Sequence, residues 1–173
     1  MGDVDDLARL VHAAYRDPTT SGWTSEADLL GGQRIDSAML GELVEATDTT
    51  VLVAELDGGV IGSGALTMPA AGVTATFGLF AVAPHQQGQG IGTQLLESAE
   101  QRAATAGFET IELTVIDVRT EVIAWYRKRG YTPTGETRPF PYGDERFGVP
   151  KRQDLRFTVL VKPVGPGGHE PAH

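Results

Sequence analysis

Apolar residues recur along this chain at two spacings, and each spacing predicts its own kind of element. Between Asp3 and Arg16 they follow a helical period, with acidic residues in the first turn, where the helix dipole favours them. The same period returns over Met39 to Val44, with Asp36 or Ser37 as the N-cap, and over Arg119 to Arg129. The pattern therefore predicts helices in these places.

Alternating β-branched and apolar residues predict strands elsewhere. Thr50 to Leu56 and Val60 to Met68 alternate on either side of Asp57-Gly58-Gly59, which is typical of a β-hairpin with a tight turn. Glu109 to Ile116 and Leu155 to Val161 predict two further strands, the second of them the last in the chain.

The chain is organised around the segment from Thr74 to Ala106. Its first part, Phe77 to Val82, is apolar at consecutive positions, which is typical of a central strand covered on both faces. Pro84 has no amide hydrogen and ends the strand. A turn from His85 to Gly92 follows, with three glycines at alternate positions, and an amphipathic helix then runs until Gly107 stops it.

This glycine turn is suited to bind an anion. The first amide N–H groups of a helix lack intrahelical acceptors and lie at the positive end of its dipole, and glycine lets the backbone approach a bulky ligand. The alternative is a tight strand-to-helix turn that needs glycine for its geometry alone. Two better-known phosphate loops are excluded, because the dinucleotide fingerprint would need glycine at Thr93 and the nucleotide-hydrolase loop would need Gly-Lys-Ser/Thr.

Composition narrows the class of protein. A chain of 173 residues with 40% apolar residues predicts one globular domain over residues 1–163, followed by a Pro/Gly-rich flexible tail over residues 164–173. The net charge of −9 argues against nucleic-acid binding, which needs a basic face. Without cysteine there is no disulfide framework or thiolate metal site, and we expect no metal. No apolar run reaches the length of a membrane span and no signal peptide is visible, so we expect no membrane partner and a cytoplasmic location.

Two segments without a sustained period combine aromatic and acidic residues. The first contains Trp23 and Glu26, and the second, a long loop from Pro139 to Lys151, contains Tyr142. Such loops suit a cation or a polar metabolite, so these three residues, together with Phe80 of the central strand, are candidates for substrate binding. The alternative is a covering loop in which Trp23 fills the core.

The glycine turn resembles the acetyl-CoA signature of the GNAT family of N-acetyltransferases, Gln/Arg-x-x-Gly-x-Gly/Ala. The matching residues are Gln87-Gly88-Gln89-Gly90-Ile91-Gly92, preceded by Val82-Ala83-Pro84 where the family has Val-x-Pro. Val122 to Tyr131 resembles the family's second motif, aliphatic-x-x-Tyr-x-x-x-Gly-Phe/Tyr. Two motifs at the family's separation are far less expected by chance than either alone, and the likeness covers most of the chain.

The resemblance implies an α/β fold of the α+β type, with a mixed, mostly antiparallel sheet splayed at its centre and flanked by helices. The family usually begins with a strand before the first helix, whereas this chain starts in that helix near Asp3, so we expect either a truncated start or a sheet that lacks its first edge strand. The pantetheine arm of CoA would pair with the backbone near Ala81 and Val82. The pyrophosphate would be held by the amides of Gln87, Gly88, Gln89, Gly90, Ile91, Gly92 and Thr93.

The resemblance also implies roles for side chains. Tyr126 of the second motif would protonate the departing CoA thiolate as a general acid, although a core tyrosine would also suit this helical position. Arg119 stands where many relatives have Asn, and we expect its guanidinium to contact a CoA phosphate. The acceptor amine must lose a proton, and the candidate bases are Glu26 and Glu112. Further candidates are Asp117, Asp144 and Glu145.

Together these implications favour an acyltransferase that moves an acetyl group from acetyl-CoA to an amine by direct attack in a ternary complex. The acceptor, a small molecule or a peptide, is not determined by the sequence. The alternative is a non-catalytic CoA-binding sensor or partner module, and a nucleotide-binding oxidoreductase is disfavoured by Thr93. Dimers are common in the family, so a homodimer is a further expectation.

Overall fold

The computed structural model describes residues 2–16, 25–31, 35–144 and 148–166. Within them, a six-stranded sheet carries two helices on each face. The helices are α1 (Gly2–Tyr15), α2 (Ser37–Glu45), α3 (Ile91–Thr105) and α4 (Thr120–Arg127), with a short 3₁₀ turn over Pro84–Gln86. The strands are β1 (Leu30–Gly31), β2 (Thr49–Leu56), β3 (Gly59–Thr67), β4 (Thr74–Val82), β5 (Thr110–Ile116), β6 (Thr132–Pro139), β7 (Val149–Pro150) and β8 (Arg156–Pro163). None of the described helices is long and apolar enough to cross a bilayer.

The strand order of the main sheet is β2-β3-β4-β5-β8-β6, and every neighbouring pair except β4 and β5 is antiparallel. The parallel pair is short, since only Thr74–Thr76 of β4 faces Thr110–Glu112 of β5. Beyond these residues the two strands separate, so the second half of β4 is paired with β3 alone. The expected splay at the centre of a mixed, mostly antiparallel sheet is confirmed.

β2, the first strand of the hairpin, is the edge strand of the main sheet, and no described residue pairs with its outer side. The hairpin itself forms as predicted: Asp57 and Gly58 have φ angles of 51° and 80°, the left-handed pair that a two-residue turn requires. The predicted cap of α2 is Asp36, whose carboxylate accepts a hydrogen bond from the Met39 amide at 2.8 Å.

Three features differ from the sequence pattern. β6 was not predicted, because Pro133 and Gly135 interrupt its alternation; it occupies the edge beside β8, where missing ladder bonds are tolerated. The segment expected to be a long loop contains β7, which pairs with β1 in a separate two-stranded sheet. Val164 is buried, and the amides of Val164 and Gly165 both donate to the Glu109 carbonyl, at 2.8 and 3.2 Å, so these two residues of the expected tail are hydrogen-bonded to the chain just before β5.

Two glycines of β3 let α3 and β4 pack closely against it. A Cβ on Gly62 would lie 2.9 Å from a methyl carbon of Leu95, and a Cβ on Gly64 would lie 2.5 Å from the Phe77 ring. Carbon atoms do not approach so closely, so both contacts need glycine. This packing holds the N-terminus of α3 next to the splayed half of β4.

Candidate functional site

A cavity of about 480 Å³ lies where the end of β4, the glycine turn, the start of α3 and the end of α4 meet. It therefore brings the two sequence motifs together at one place. Its lining residues are Phe80, Val82, Gln86, Gln87, Gly88, Gly90, Ile91, Gly92, Thr93, Trp125 and Arg129.

The glycine turn presents the start of α3 to this cavity. Gly88 and Gly90 have φ angles of 81° and 84°, a conformation that favours glycine, and Gly90 is the N-cap of the helix. The first helical hydrogen bond runs from the Gln94 amide to the Gly90 carbonyl at 3.0 Å. The amides of Ile91, Gly92 and Thr93 precede that bond and have no acceptor within the helix, so they can bind an anion.

Gln87, the first residue of the signature, braces the turn. Its side-chain amide donates to the Val82 carbonyl at 3.1 Å, which links the turn back to the end of β4. At the other end, a Cβ on Gly92 would lie 3.0 Å from the Phe80 ring. A larger residue at position 92 would push α3 away from β4, so the third glycine of the turn serves close packing.

Arg129 adds a positive charge to the cavity. Its guanidinium carbon lies 3.5 Å from the centre of the Trp125 ring, and Nη1 donates to the Trp125 carbonyl at 3.0 Å. Nε and Nη2 donate to Thr93 Oγ1 at 3.1 and 2.9 Å, so the cation is fixed beside the first turn of α3. All these acceptors are uncharged. A cation beside the positive end of a helix is unfavourable by itself, and an anion bound between them would be attracted by both.

The electrostatics of Arg129 agree with this geometry. Burial lowers the pKa of its guanidinium from the usual value, and the charges of Glu97 and Tyr126 act in the opposite direction. The guanidinium has thus lost hydration, and among the described residues no carboxylate lies at hydrogen-bond distance from it. A bound phosphate would replace that lost hydration with charge-assisted hydrogen bonds.

Tyr126 is buried directly behind the apolar wall of the cavity. Its ring lies 6.3 Å from Phe80 and 5.1 Å from Trp125, both of which line the cavity, and 5.5 Å from Tyr131. Burial raises the pKa of its phenol well above the usual value; Tyr15 raises it further, and Arg129 lowers it. The phenol is therefore neutral at physiological pH and carries a proton that it can donate.

The two candidate bases are both held in ion pairs. Arg16 Nη1 donates to Glu26 Oε2 at 2.8 Å in a nearly solvent-free pair that joins the end of α1 to the following loop. Arg138 Nη1 donates to Glu112 Oε1 at 2.7 Å, which joins β6 to β5. Neither carboxylate lines the cavity. These contacts favour structural roles, and their roles as bases stay predictions.

Arg119 lies away from the cavity, in contrast to the phosphate contact expected for it. Its side chain is buried, Nε donates to Glu121 Oε1 at 2.7 Å, and Nη1 donates to the Ser25 carbonyl. The guanidinium thus ties the loop after α1 to the start of α4. The structure does not bring Arg119 to the glycine turn.

The remaining candidates are dispersed. Phe80 lines the cavity, whereas the Tyr142 hydroxyl accepts a hydrogen bond from the Leu155 amide at 2.8 Å and its ring packs 5.1 Å from Phe140. Asp117 accepts from the Arg156 amide at 3.3 Å. Trp23 and Glu145 lie outside the described residues. Among the residues that are described, no three His, Cys, Asp or Glu side chains come together as metal ligands.

Sequence reasoning missed Arg129 as a site residue. The signal was the run Arg127-Lys128-Arg129 at the end of α4, which the helix dipole alone explains. That explanation holds for the exposed Arg127 and Lys128. Only Arg129 turns back onto Trp125 and Thr93, and no local pattern reveals this.

Comparison with known proteins agrees with the fold and the motifs. The model of the acetyltransferase (GNAT) family matches residues 8–131. An IAA acetyltransferase from Azospirillum brasilense is 35% identical over 103 residues, which are 59% of this chain and 65% of that protein, so the match spans less than two thirds of the relative's length.

Two solved structures have the same fold. The ribosomal-protein-S18-alanine N-acetyltransferase from Escherichia coli superposes with a TM-score of 0.70 at 17% identity, covering 100% of this chain and 95% of that one. An aminoglycoside 6′-N-acetyltransferase complexed with coenzyme A superposes with a TM-score of 0.67 at 17% identity, covering 93% of this chain and 90% of that one. With the family model spanning most of its length and both motifs meeting at one cavity, this chain belongs to the acetyltransferase (GNAT) family.

Proposed function

We propose that this protein is an N-acetyltransferase that transfers the acetyl group of acetyl-CoA to an amine. The observation that carries the proposal is the cavity at the glycine turn, where amides at a helix N-terminus and a fixed guanidinium adjoin a buried, protonated tyrosine. Membership in the family supports the same reaction.

The cavity fits the diphosphate of CoA. The amides of Ile91, Gly92 and Thr93 would donate to its oxygens, and Arg129 would approach from the opposite side with the N–H groups that it does not direct to Thr93 and Trp125. The pantetheine arm would follow Val82 and Ala81 into the splay, where the β5-facing side of β4 has no strand neighbour. The relative solved with coenzyme A supports this type of ligand.

The side chains then suggest how the chemistry proceeds. The amine nitrogen attacks the thioester carbonyl carbon, so that a C–N bond forms, the C–S bond breaks, and the amine proton passes to water or to a base on the acceptor side. Tyr126 donates its phenolic proton to the leaving sulfur, which is released as the thiol of CoA. Direct attack of this kind needs no covalent enzyme intermediate.

We place acceptor recognition in the loops that carry Glu26 and Tyr142. β1 and β7 join these loops, the Lys151 ammonium donates to the Ala27 carbonyl at 2.5 Å, and Arg119 ties Ser25 to α4. Contacts between the two loops would hold their remaining side chains in a fixed arrangement around an acceptor. The net charge of −9 suits a cationic amine.

The test combines acetyl-CoA binding with thiol release. Calorimetry with acetyl-CoA is expected to register binding, and a thiol-detecting assay with amines, amino acids, aminoglycosides and peptides is expected to register CoA release with at least one of them. Binding without thiol release across the whole panel would instead favour a non-catalytic CoA sensor. No binding of acetyl-CoA would contradict the proposal altogether.

A further inference from the structure

β4 contains a bulge within its splayed half. Ser63 of β3 pairs with Ala81 and Ala65 pairs with Gly78, so one residue of β3, Gly64, faces two residues of β4, Leu79 and Phe80. Leu79 adopts a left-handed φ of 50°, although it is not a glycine. A side chain in that conformation costs about 1–3 kcal/mol, and surrounding contacts must hold it there.

Two hydroxyl groups hold the bulge. Ser63 Oγ donates to the Leu79 carbonyl at 3.2 Å, and the Tyr15 hydroxyl, from the last residue of α1, donates to the Phe80 carbonyl. Ser63 is completely buried. Neither residue lines the cavity. The two consecutive carbonyls of the bulge thus accept from side chains, whereas carbonyls of a regular strand accept from the neighbouring strand.

Both hydroxyls act from the face of the sheet that carries α1. Gly62 and Gly64 point toward Leu95 of α3 and toward Phe77, so Ser63 between them points to the opposite face. Tyr15 packs with the apolar cluster under α1, which includes Ala81. The carbonyl of Leu79 is therefore drawn toward the α1 face.

The amide that follows this carbonyl must point the other way. In a planar trans peptide unit the C=O and N–H bonds have opposite directions, so the Phe80 N–H points away from Ser63 of β3, toward the splayed side of β4 that β5 does not pair with. Tyr126 and the cavity lie on that side. Tyr15 fixes the next peptide unit through the Phe80 carbonyl and prevents the pair of units from rotating.

Membership in the family implies that a backbone amide of the splayed strand stabilises the thioester oxygen of acetyl-CoA, and we propose that Tyr15 and Ser63 are positioning residues for that amide. Their hydroxyls hold the bulge of β4 so that the Phe80 N–H is directed at this oxygen. The negative charge that develops on that oxygen during attack is then stabilised by an amide already in place. The inference rests on the proposed function. Tyr15 also raises the pKa of Tyr126 electrostatically, which agrees with the inference because it indicates that the two phenols lie close together.

The test uses variants that remove one hydroxyl each, Tyr15→Phe and Ser63→Ala. The probe is [1-¹³C]acetyl-CoA without an added amine, so that water is the acceptor and the products are acetate and CoA. Three quantities are measured: the rate of thiol release, the dissociation constant of acetyl-CoA, and the infrared stretching frequency of the bound thioester carbonyl. In the wild-type protein, an oriented donor lowers this frequency relative to free acetyl-CoA.

Each variant is expected to release thiol at least about tenfold more slowly, since one oriented donor to the developing charge commonly contributes that much or more. The carbonyl band is expected to move back toward the frequency of free acetyl-CoA, while the dissociation constant changes by less than about twofold. Thr49→Val is the matched control, because it removes a hydroxyl from a 2.9 Å pair with Thr67 in the same sheet, far from the bulge.

The inference is overturned if both variants keep the wild-type rate and carbonyl band, or if the rate falls only in proportion to lost acetyl-CoA binding. Thermal melting separates loss of fold from loss of alignment, and Tyr15→Phe alone decides the matter if the buried Ser63→Ala change prevents folding. A wild-type protein that binds no acetyl-CoA contradicts the proposed function first, and the inference falls with it. If the wild-type protein binds and turns over acetyl-CoA and both variants behave like it, only the positioning role of Tyr15 and Ser63 is contradicted.

Discussion

The proposed coenzyme side and the proposed acceptor side of this protein use charge in different ways. At the glycine turn, the amides of α3 and the guanidinium of Arg129 present donors without a carboxylate among them. On the acceptor side, Glu26 is paired with Arg16, and Arg119 is paired with Glu121. The coenzyme side can therefore still attract a charged ligand, whereas the charges of the acceptor side are paired with each other and hold the loops together.

The partners of a charged side chain indicate whether that side chain binds a ligand or stabilises the fold. A charged side chain whose partners are neutral, as for Arg129, keeps its attraction for an outside ion. A charged side chain with an opposite charge at 2.8 Å, as for Glu26, contributes to stability and has little attraction left. Variants on the two sides should therefore fail in different assays.

The largest effect is expected from Tyr126→Phe, which should lower kcat of thiol release by about a hundredfold because it removes the general acid. The dissociation constant of acetyl-CoA, measured by calorimetry, should stay within about twofold, since the ring remains in place. Tyr131→Phe is the matched control: it removes a buried phenol that donates to Glu100 at 3.0 Å in the same aromatic cluster. Equal losses in both variants would assign the effect to packing.

Glu26→Gln tests the structural side of the comparison. It removes the negative charge from the nearly buried pair with Arg16, and we expect the free energy of unfolding to fall by about 2 kcal/mol. Denaturant unfolding measures this, with Asp154→Asn as the control, because its pair with Arg152 is exposed and should contribute little to the free energy of unfolding. A folded, fully stable Glu26→Gln protein with a lost rate would support the base role instead.

Arg129→Ala tests the ligand side. The dissociation constant of acetyl-CoA should rise by about tenfold, or 1.4 kcal/mol, since a guanidinium contact to the diphosphate is lost. The wild-type affinity should also fall with added salt more steeply than that of the variant. Lys128→Ala, an exposed cation on the same turn of chain, should change the affinity by less than about twofold. Equal effects in the two variants would mean that Arg129 contributes only its positive charge and makes no specific contact with the diphosphate.

Arg119→Ala should change the dissociation constant of acetyl-CoA by less than about twofold, because the guanidinium is directed to Glu121 and Ser25. Any loss of activity should appear in the KM of the acceptor, whose loop Arg119 holds. A tenfold rise in the acetyl-CoA constant would restore the phosphate contact that the sequence suggested. Calorimetry and two-substrate kinetics measure the two constants separately.

The smallest expected effect is a flat alkaline limb in the pH profile of thiol release. Because burial raises the pKa of Tyr126 well above its usual value, the acid form is lost only when the pH rises through that higher value. The rate should therefore not decline through Tyr126 below about pH 10, the ordinary tyrosine pKa. A decline well below pH 10 that Tyr126→Phe abolishes would contradict the buried, protonated phenol.

The two motifs in the sequence pointed to the family by resemblance, and the sequence also determined the order of most elements and the place of the glycine turn. These follow from local rules: a period of apolar residues selects helix or strand, and Gly88 and Gly90 are needed where the backbone turns left-handed. β6 escaped the same rules because Pro133 and Gly135 disturb its alternation, and only pairing with β8 makes it a strand.

Only the tertiary structure decided which charged and polar side chains meet. Arg129 reaches Thr93 across 36 residues of chain, and Tyr15 reaches the Phe80 carbonyl across 65. The tertiary structure likewise pairs Glu26 with Arg16 and Glu112 with Arg138, and neither carboxylate lines the cavity. The physical reason is that such contacts depend on how helices pack on a splayed and bulged sheet, and no spacing along the chain encodes that arrangement.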